Sequence, residues 1–83
     1  MRIVRRWRPL RGPKPEGPYV ADCRSFDIPA TIGAMIRNAD AGCVAVTLRP
    51  YGGAEMIATA EREARRRGMR IFWVRARAAL GRT

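Results

Sequence analysis

The stretch Tyr19-Val20-Ala21-Asp22-Cys23-Arg24-Ser25-Phe26-Asp27-Ile28-Pro29 changes character halfway along. Tyr19 to Cys23 is a short apolar run with strand propensity. Asp27-Ile28-Pro29 then reads as a helix start. Proline fits the first helical turn, and an acidic residue just before it complements the positive end of the helix dipole. Ile28, Ile32, Met35, Ile36 and Ala39 recur at helical spacing and form one apolar stripe, which Gly42 ends.

Downstream, the same unit repeats in kind. Cys43 to Leu48 is apolar on both faces, the pattern of a buried strand. Arg49-Pro50-Tyr51-Gly52-Gly53 is a loop. Ala54 to Arg67 reads as a second helix with Ile57, Ala60 and Ala64 on its inner face. Glu61–Arg65 and Glu63–Arg67 stand four apart in the favourable order. Arg65, Arg66 and Arg67 sit at the negative end of the dipole, and Gly68 is a natural cap. Met69 to Val74 is a third buried strand. Upstream, Arg2 to Leu10 has a β-like mixture of Ile3, Val4 and Trp7 among arginines, suited to a sheet edge. Strand–helix–strand units imply parallel neighbours and right-handed crossovers. The expected fold is therefore α+β, a two-layer sandwich with two helices on one face of a four-stranded mixed sheet. One domain is expected over residues 1–83: an N-terminal edge strand in 1–11, a Pro/Gly linker in 12–18, a core in 19–75 and a basic tail in 76–83.

Composition narrows the chemistry. The chain has 83 residues, enough for one modest core and no deep cleft between lobes. Its apolar fraction of 47% is that of a globular domain. No apolar run approaches the ~20 residues of a membrane span. Lys and Arg number 17 against 7 Asp and Glu, a net charge of +10, and Lys14 is the sole lysine. Such a field attracts polyanions; the arginine bias, with many Ala and Gly, also fits a GC-rich genome. Histidine is absent, which removes the usual general base and the commonest metal ligand. Cys23 and Cys43 match no zinc spacing, so no metal or cofactor is expected. The twin-arginine start is followed by Arg11-Gly12-Pro13-Lys14 rather than an apolar stretch, which argues against an export signal. A reduced, cytoplasmic setting is the simpler reading.

The stretch from Asp22 to Pro29 resembles the opening of the TusA/SirA sulfur-carrier family, where a strand runs into an Asp-x-Arg-Gly-Leu-x-Cys-Pro-x-Pro signature. Asp22, Arg24 and Pro29 coincide with it, and Phe26 stands at the Leu. Ala41-Gly42-Cys43-Val44-Ala45-Val46 looks like the family's Pro-Gly-x-x-Leu-x-Val strand, and Arg67-Gly68-Met69 resembles its closing Arg-Gly-His. The likeness covers residues 19–75. It implies a βαβαββ sandwich like the C-terminal domain of translation initiation factor three, with the N-terminal strand standing in for the family's last strand. The departures are specific. The sulfur-carrying Cys falls on Ile28, the second Pro on Thr31 and the Gly on Ser25. A thiol at a helix N-terminus has a lowered pKa and accepts sulfur as a thiolate; Ile28 retains the geometry and deletes the nucleophile. Cys23 is the remaining candidate carrier, although a strand Cys is usually a small buried hydrophobe.

Two further groups are candidates for binding. Arg24 and Ser25 approach the first helix start, and Arg49, Tyr51, Gly52 and Gly53 join a strand to the second helix; backbone N–H groups there suit a phosphate or carboxylate. Arg5, Arg6 and Arg8 surround Trp7, a pattern suited to RNA by phosphate contact and stacking. An enzyme in its own right is not expected. The first functional reading is a thiol-less relative of the sulfur carriers that serves as an accessory module for a protein partner. The alternatives are a small basic nucleic-acid-binding protein and a sulfur carrier that uses Cys23. No membrane partner is expected.

Overall fold

Asp27 caps the first helix. Its backbone is extended, its Oδ1 accepts the Ala30 N–H at 2.8 Å, and Pro29 sits in the first turn. The computed structural model, which describes residues 4–74, places an α-helical turn here, α1 (Ile28–Ala30), that runs directly into a π-helical segment (Thr31–Ile36). The Arg37 N–H reaches back to the Ile32 carbonyl at 3.3 Å, the long bond of the π register. Ile28, Ile32 and Ile36 are all buried. In an α-helix, residues four apart drift by about 40° around the axis per step. A wider turn reduces that drift and keeps all three isoleucines against the core. Helical structure stops at Ile36, ahead of Gly42. Gly42 instead serves the entry to the next strand: a Cβ there would lie 3.0 Å from the Gly17 carbonyl oxygen and 3.2 Å from the Tyr19 ring.

Four strands follow the order of the chain: β1 (Arg5–Trp7), β2 (Tyr19–Asp22), β3 (Cys43–Leu48) and β4 (Arg70–Trp73). The second helix, α2 (Ala54–Arg66), joins β3 to β4. The sheet order is β1-β2-β3-β4, and every neighbouring pair is parallel. The expected mixed sheet is thus corrected. The direction of β1 is decided by the linker after it. Only three residues of strand, about 10 Å, must be retraced. The proline-rich segment from Arg8 to Pro18 is long enough to do so, and it crosses back rather than closing a hairpin. Trp7 pins this crossover by donating its indole N–H to the Gly12 carbonyl at 2.9 Å.

The steps from β2 to β3 to β4 go one way, so right-handed crossovers put both helices on one face, and α1 and α2 touch each other there. That inner face buries Tyr19, Ala21, Cys43, Val46 and Leu48 against Ile28, Ile32, Ile36, Ala60 and Ala64. The two alanines let α2 approach closely. Its end is a Schellman turn: the Met69 N–H bonds the Ala64 carbonyl at 2.9 Å, the Gly68 N–H bonds that of Arg65 at 3.1 Å, and Gly68 has φ +72°. Glu63 pairs with Arg67 at 2.7 Å as its spacing suggests. Glu61 departs from expectation: it accepts the Trp73 indole N–H at 3.0 Å. Among the described residues, no helix is long and apolar enough to cross a membrane. The basic tail, with Arg75, Arg77 and Arg82, lies outside the described residues.

Candidate functional site

The carboxyl ends of β1, β2 and β3 lie side by side at one rim of the sheet, and the residues that follow them are rich in arginine. Arg8 follows β1, Arg24 follows β2 and Arg49 follows β3; with Arg11 and Asp22 they line one depression of about 360 Å³. Ser25 and the half-buried Phe26 complete its wall. Leu10, also at this rim, is 90% exposed and holds φ +74°, a left-handed conformation costly for a branched side chain.

Asp22 organises the rim. Its side chain is 5% exposed and takes a two-pronged bond from Arg24, Nε to Oδ1 at 2.8 Å and Nη2 to Oδ2 at 2.7 Å. Arg8 Nε stands 3.7 Å from the same Oδ2. The Arg24 hydrogen bond, above all, holds the Asp22 carboxyl below its usual value against the opposing effect of burial. A carboxylate held this way is a poor proton acceptor; its work is to orient the guanidinium groups. Four arginines against one aspartate leave the depression cationic. A guanidinium fork suits phosphate or carboxylate oxygens. The basic surface continues along β1, the outermost strand among the described residues, where Arg5, Arg6, Arg8 and Arg11 line a second, shallower depression of about 310 Å³.

The residues singled out in the sequence are therefore regrouped. Arg24, Ser25 and Arg49 come together, and Arg8, read as part of a separate basic strand, joins them. Tyr51 is 61% exposed, with the Arg49 guanidinium 6.0 Å from its ring centre. Gly52 serves packing: a Cβ there would meet Ile28 Cδ1 and Met56 Sδ at 3.3 Å each. Gly53 is the N-cap of α2, with no side-chain bond. Trp7 belongs to the inner face. Its ring meets Tyr19 edge-on, 5.6 Å between centres at 88°, and Lys14 stands 5.8 Å over it. It is half-buried and not a free platform for a base. Ile28 occupies the first position of α1 and is buried. Cys23 is fully buried as well, and burial pushes its thiol up to about 12, so the nucleophilic thiolate is suppressed. Burial likewise raises Cys43.

Sequence reasoning missed Asp22 as the organiser, Leu10 at the rim, and the exposure of Phe72. The strand register shows why Phe72 matters. Arg6, Val20, Ala45 and Arg70 form one row across the sheet. Asp22, Thr47 and Phe72 form the next, with Arg8 beside Asp22. These rows belong to the face opposite the helices, since alternate residues of each strand enter the core. Phe72 there is 48% exposed.

Compared with protein-family models, with curated proteins and with solved structures, the chain matches none.

Proposed function

We propose that the protein is a non-catalytic module that binds nucleic acid through its arginine-lined rim. The observation that carries this reading is the convergence of Arg8, Arg11, Arg24 and Arg49 on one depression at the carboxyl ends of parallel strands. The net charge of +10 supplies the long-range attraction. The buried thiols and the arginine-bound Asp22 supply no nucleophile or base. The test is fluorescence anisotropy with a labelled single-stranded RNA oligonucleotide over a range of salt. Binding should weaken linearly on a log–log plot, with a slope of about −0.7 per phosphate neutralised. Replacing Arg8 and Arg49 by Ala should make the slope shallower. No binding at low salt rejects the reading.

A second reading is supported by the local geometry of residues 22–29. They form a strand-to-helix junction at the rim, with Ile28 at the first helical position where the sulfur carriers bear their thiol. On this reading the protein is a thiol-less relative of those carriers and serves a protein partner. Co-purification from the native host with a partner that is lost on Ala30→Glu, an exposed position in the same helical turn, while the fold is retained, would favour it over nucleic acid. Transfer of sulfur by Cys23 is the weakest reading because of its burial; a sulfur-mass increment on Cys23 after incubation with a cysteine desulfurase would revive it.

A further inference from the structure

Pro9 and Leu10 form the turn that carries the chain away from β1. The Arg11 N–H bonds the Arg8 carbonyl at 3.0 Å, Pro9 takes the second place, and Leu10 takes the third at φ +74°. That is the pattern of a type II turn, whose third place favours glycine or asparagine. A leucine there is strained, because its Cβ crowds the backbone in the left-handed region. The surroundings hold the turn in place. Pro9 is buried, and the Trp7 indole ties down the Gly12 carbonyl just beyond the turn at 2.9 Å. The Leu10 side chain is 90% exposed, more than any other large apolar side chain among the described residues. The fold therefore gains no burial from it to offset the strain. Strain kept without such a gain is a pointer to function.

The place of this side chain is specific. Leu10 lines the depression formed by Arg8, Arg11, Arg24 and Arg49, and the half-buried Phe26 lines it as well. Arg8 and Arg11, the two ends of the turn, also line the neighbouring depression along β1. A ligand that uses all of this carries an apolar surface close to several negative charges. Inorganic polyphosphate has the charges alone. A membrane has both, but stable anchoring takes a broad apolar face or a second anchor, and among the described residues lining the depression Leu10 is the one large apolar side chain that is fully exposed. A single strand has both at close spacing: each unpaired base offers an apolar face, with phosphates on either side of it. In a duplex those faces are stacked away and the grooves present only base edges. A volume of about 360 Å³ lies at the small end of ligand sites, the scale of one nucleotide rather than of a helix.

We propose that Leu10 is an apolar contact for one unpaired base seated at the arginine-lined depression, with Arg8 and Arg11 meeting the phosphates beside it. The inference rests on the nucleic-acid reading above and deepens it: the arginines supply affinity for any polyanion, and Leu10 supplies the preference for single strands over duplex. The left-handed turn fixes the backbone of this contact before the ligand arrives, which lowers the ordering cost of binding.

The experiment measures binding of the intact protein, Leu10→Gly and Leu10→Met to a single-stranded uridine oligonucleotide, a duplex of equal length, inorganic polyphosphate, and vesicles of phosphatidylcholine with phosphatidylserine. Leu10→Gly should weaken single-strand binding roughly 3- to 10-fold, as expected where a base covers about half of a leucine side chain. The salt slope and the affinities for duplex and polyphosphate should not change, and Leu10→Met should bind single strands as the intact protein does. Glycine adopts the left-handed conformation freely, so Leu10→Gly should melt no lower than the intact protein. If Leu10→Gly binds the oligonucleotide as tightly as the intact protein, the contact is rejected while the charged rim stands. A parallel loss toward polyphosphate or duplex, or a marked fall in melting temperature, shows that Leu10 acts through the fold or the charges and also rejects it. Leu10-dependent binding to the vesicles without binding to the oligonucleotide assigns the side chain to a lipid surface and overturns the proposal. If the intact protein ignores the oligonucleotide at low salt, both readings fall.

Discussion

Asp22 carries two roles in one carboxylate. It closes a half-buried ion pair with Arg24 and stands beside Arg8 at the rim. The Arg24 bonds hold its pKa below the ordinary 3.8. The ionised form is thus favoured by folding: its contribution is complete above 3.8 and is lost as the pH falls through the lower folded value. Asp22→Asn should cost about 1–3 kcal/mol at neutral pH, since one charge-assisted bond is lost from a buried site. Urea titrations should show that cost shrinking as the pH falls below 3.8, where the unfolded carboxyl takes up a proton, and disappearing below the lower folded value, where the folded carboxyl is protonated too. Equal destabilisation at every pH would mean that packing, not charge, is what Asp22 supplies. Cys23 sets a second residue-scale expectation. With its thiol fully buried and raised to about 12, it should react with a disulfide reagent at pH 8 only as fast as the protein opens. Cys43, buried in the same core, should behave alike. A thiol that reacts at the rate of a free cysteine in the folded protein would reopen the sulfur-carrier reading.

At the scale of elements, two glycines of similar appearance in the sequence should respond oppositely. Gly33 lies in the π-helical segment, exposed, with nothing within 4 Å of a Cβ built on it. Gly33→Ala should stabilise by about 0.4–1 kcal/mol, chiefly by restricting the unfolded chain. At Gly42, by contrast, a Cβ meets the Gly17 carbonyl oxygen at 3.0 Å, so Gly42→Ala should destabilise by about 1–3 kcal/mol. Chemical denaturation of the two variants checks both signs. The same contrast explains what was legible beforehand. Helix ends are written in local chemistry: Asp27 and Pro29 mark one start, and Gly68 marks one end, because caps act within a turn. Strand direction is not local. Whether β1 runs with β2 or against it depends on the path from Arg8 to Pro18, which has no periodicity to read. Facing is harder still. In a strand as short as Arg5–Trp7, a shift of one residue exchanges the two faces, and β3 contains an irregularity near Val44 that resets its phase. The arginines around Trp7 suggest a stacking aromatic and residues 69–74 read as a buried strand, yet the register turns Trp7 toward the core and leaves Phe72 exposed. The site was half legible for a related reason: Arg24, Ser25 and Arg49 sit at strand ends that the pattern located, while Arg8 joins them only because β1 is parallel to β2.

For the molecule as a whole, charge and topology pull stability in opposite directions. Seventeen basic side chains against seven acidic ones repel one another in the folded state. A chain of this size has little core to offset that repulsion. Added salt should therefore raise the melting temperature of the free protein by screening. A bound polyanion changes the sign. A ligand present at 100 times its dissociation constant stabilises the folded state by about 2.7 kcal/mol. In a domain of this length that is roughly 10–20 °C in melting temperature. Salt displaces such a ligand steeply, because each neutralised phosphate recovers its counterion. With a saturating single-stranded oligonucleotide, the melting temperature should start high and fall as salt is added, converging on the rising curve of the free protein. Scanning calorimetry across the same salt series, with and without oligonucleotide, reads both limbs. Two curves that rise together would show that the oligonucleotide never engages the folded chain, and would leave the charge as composition alone.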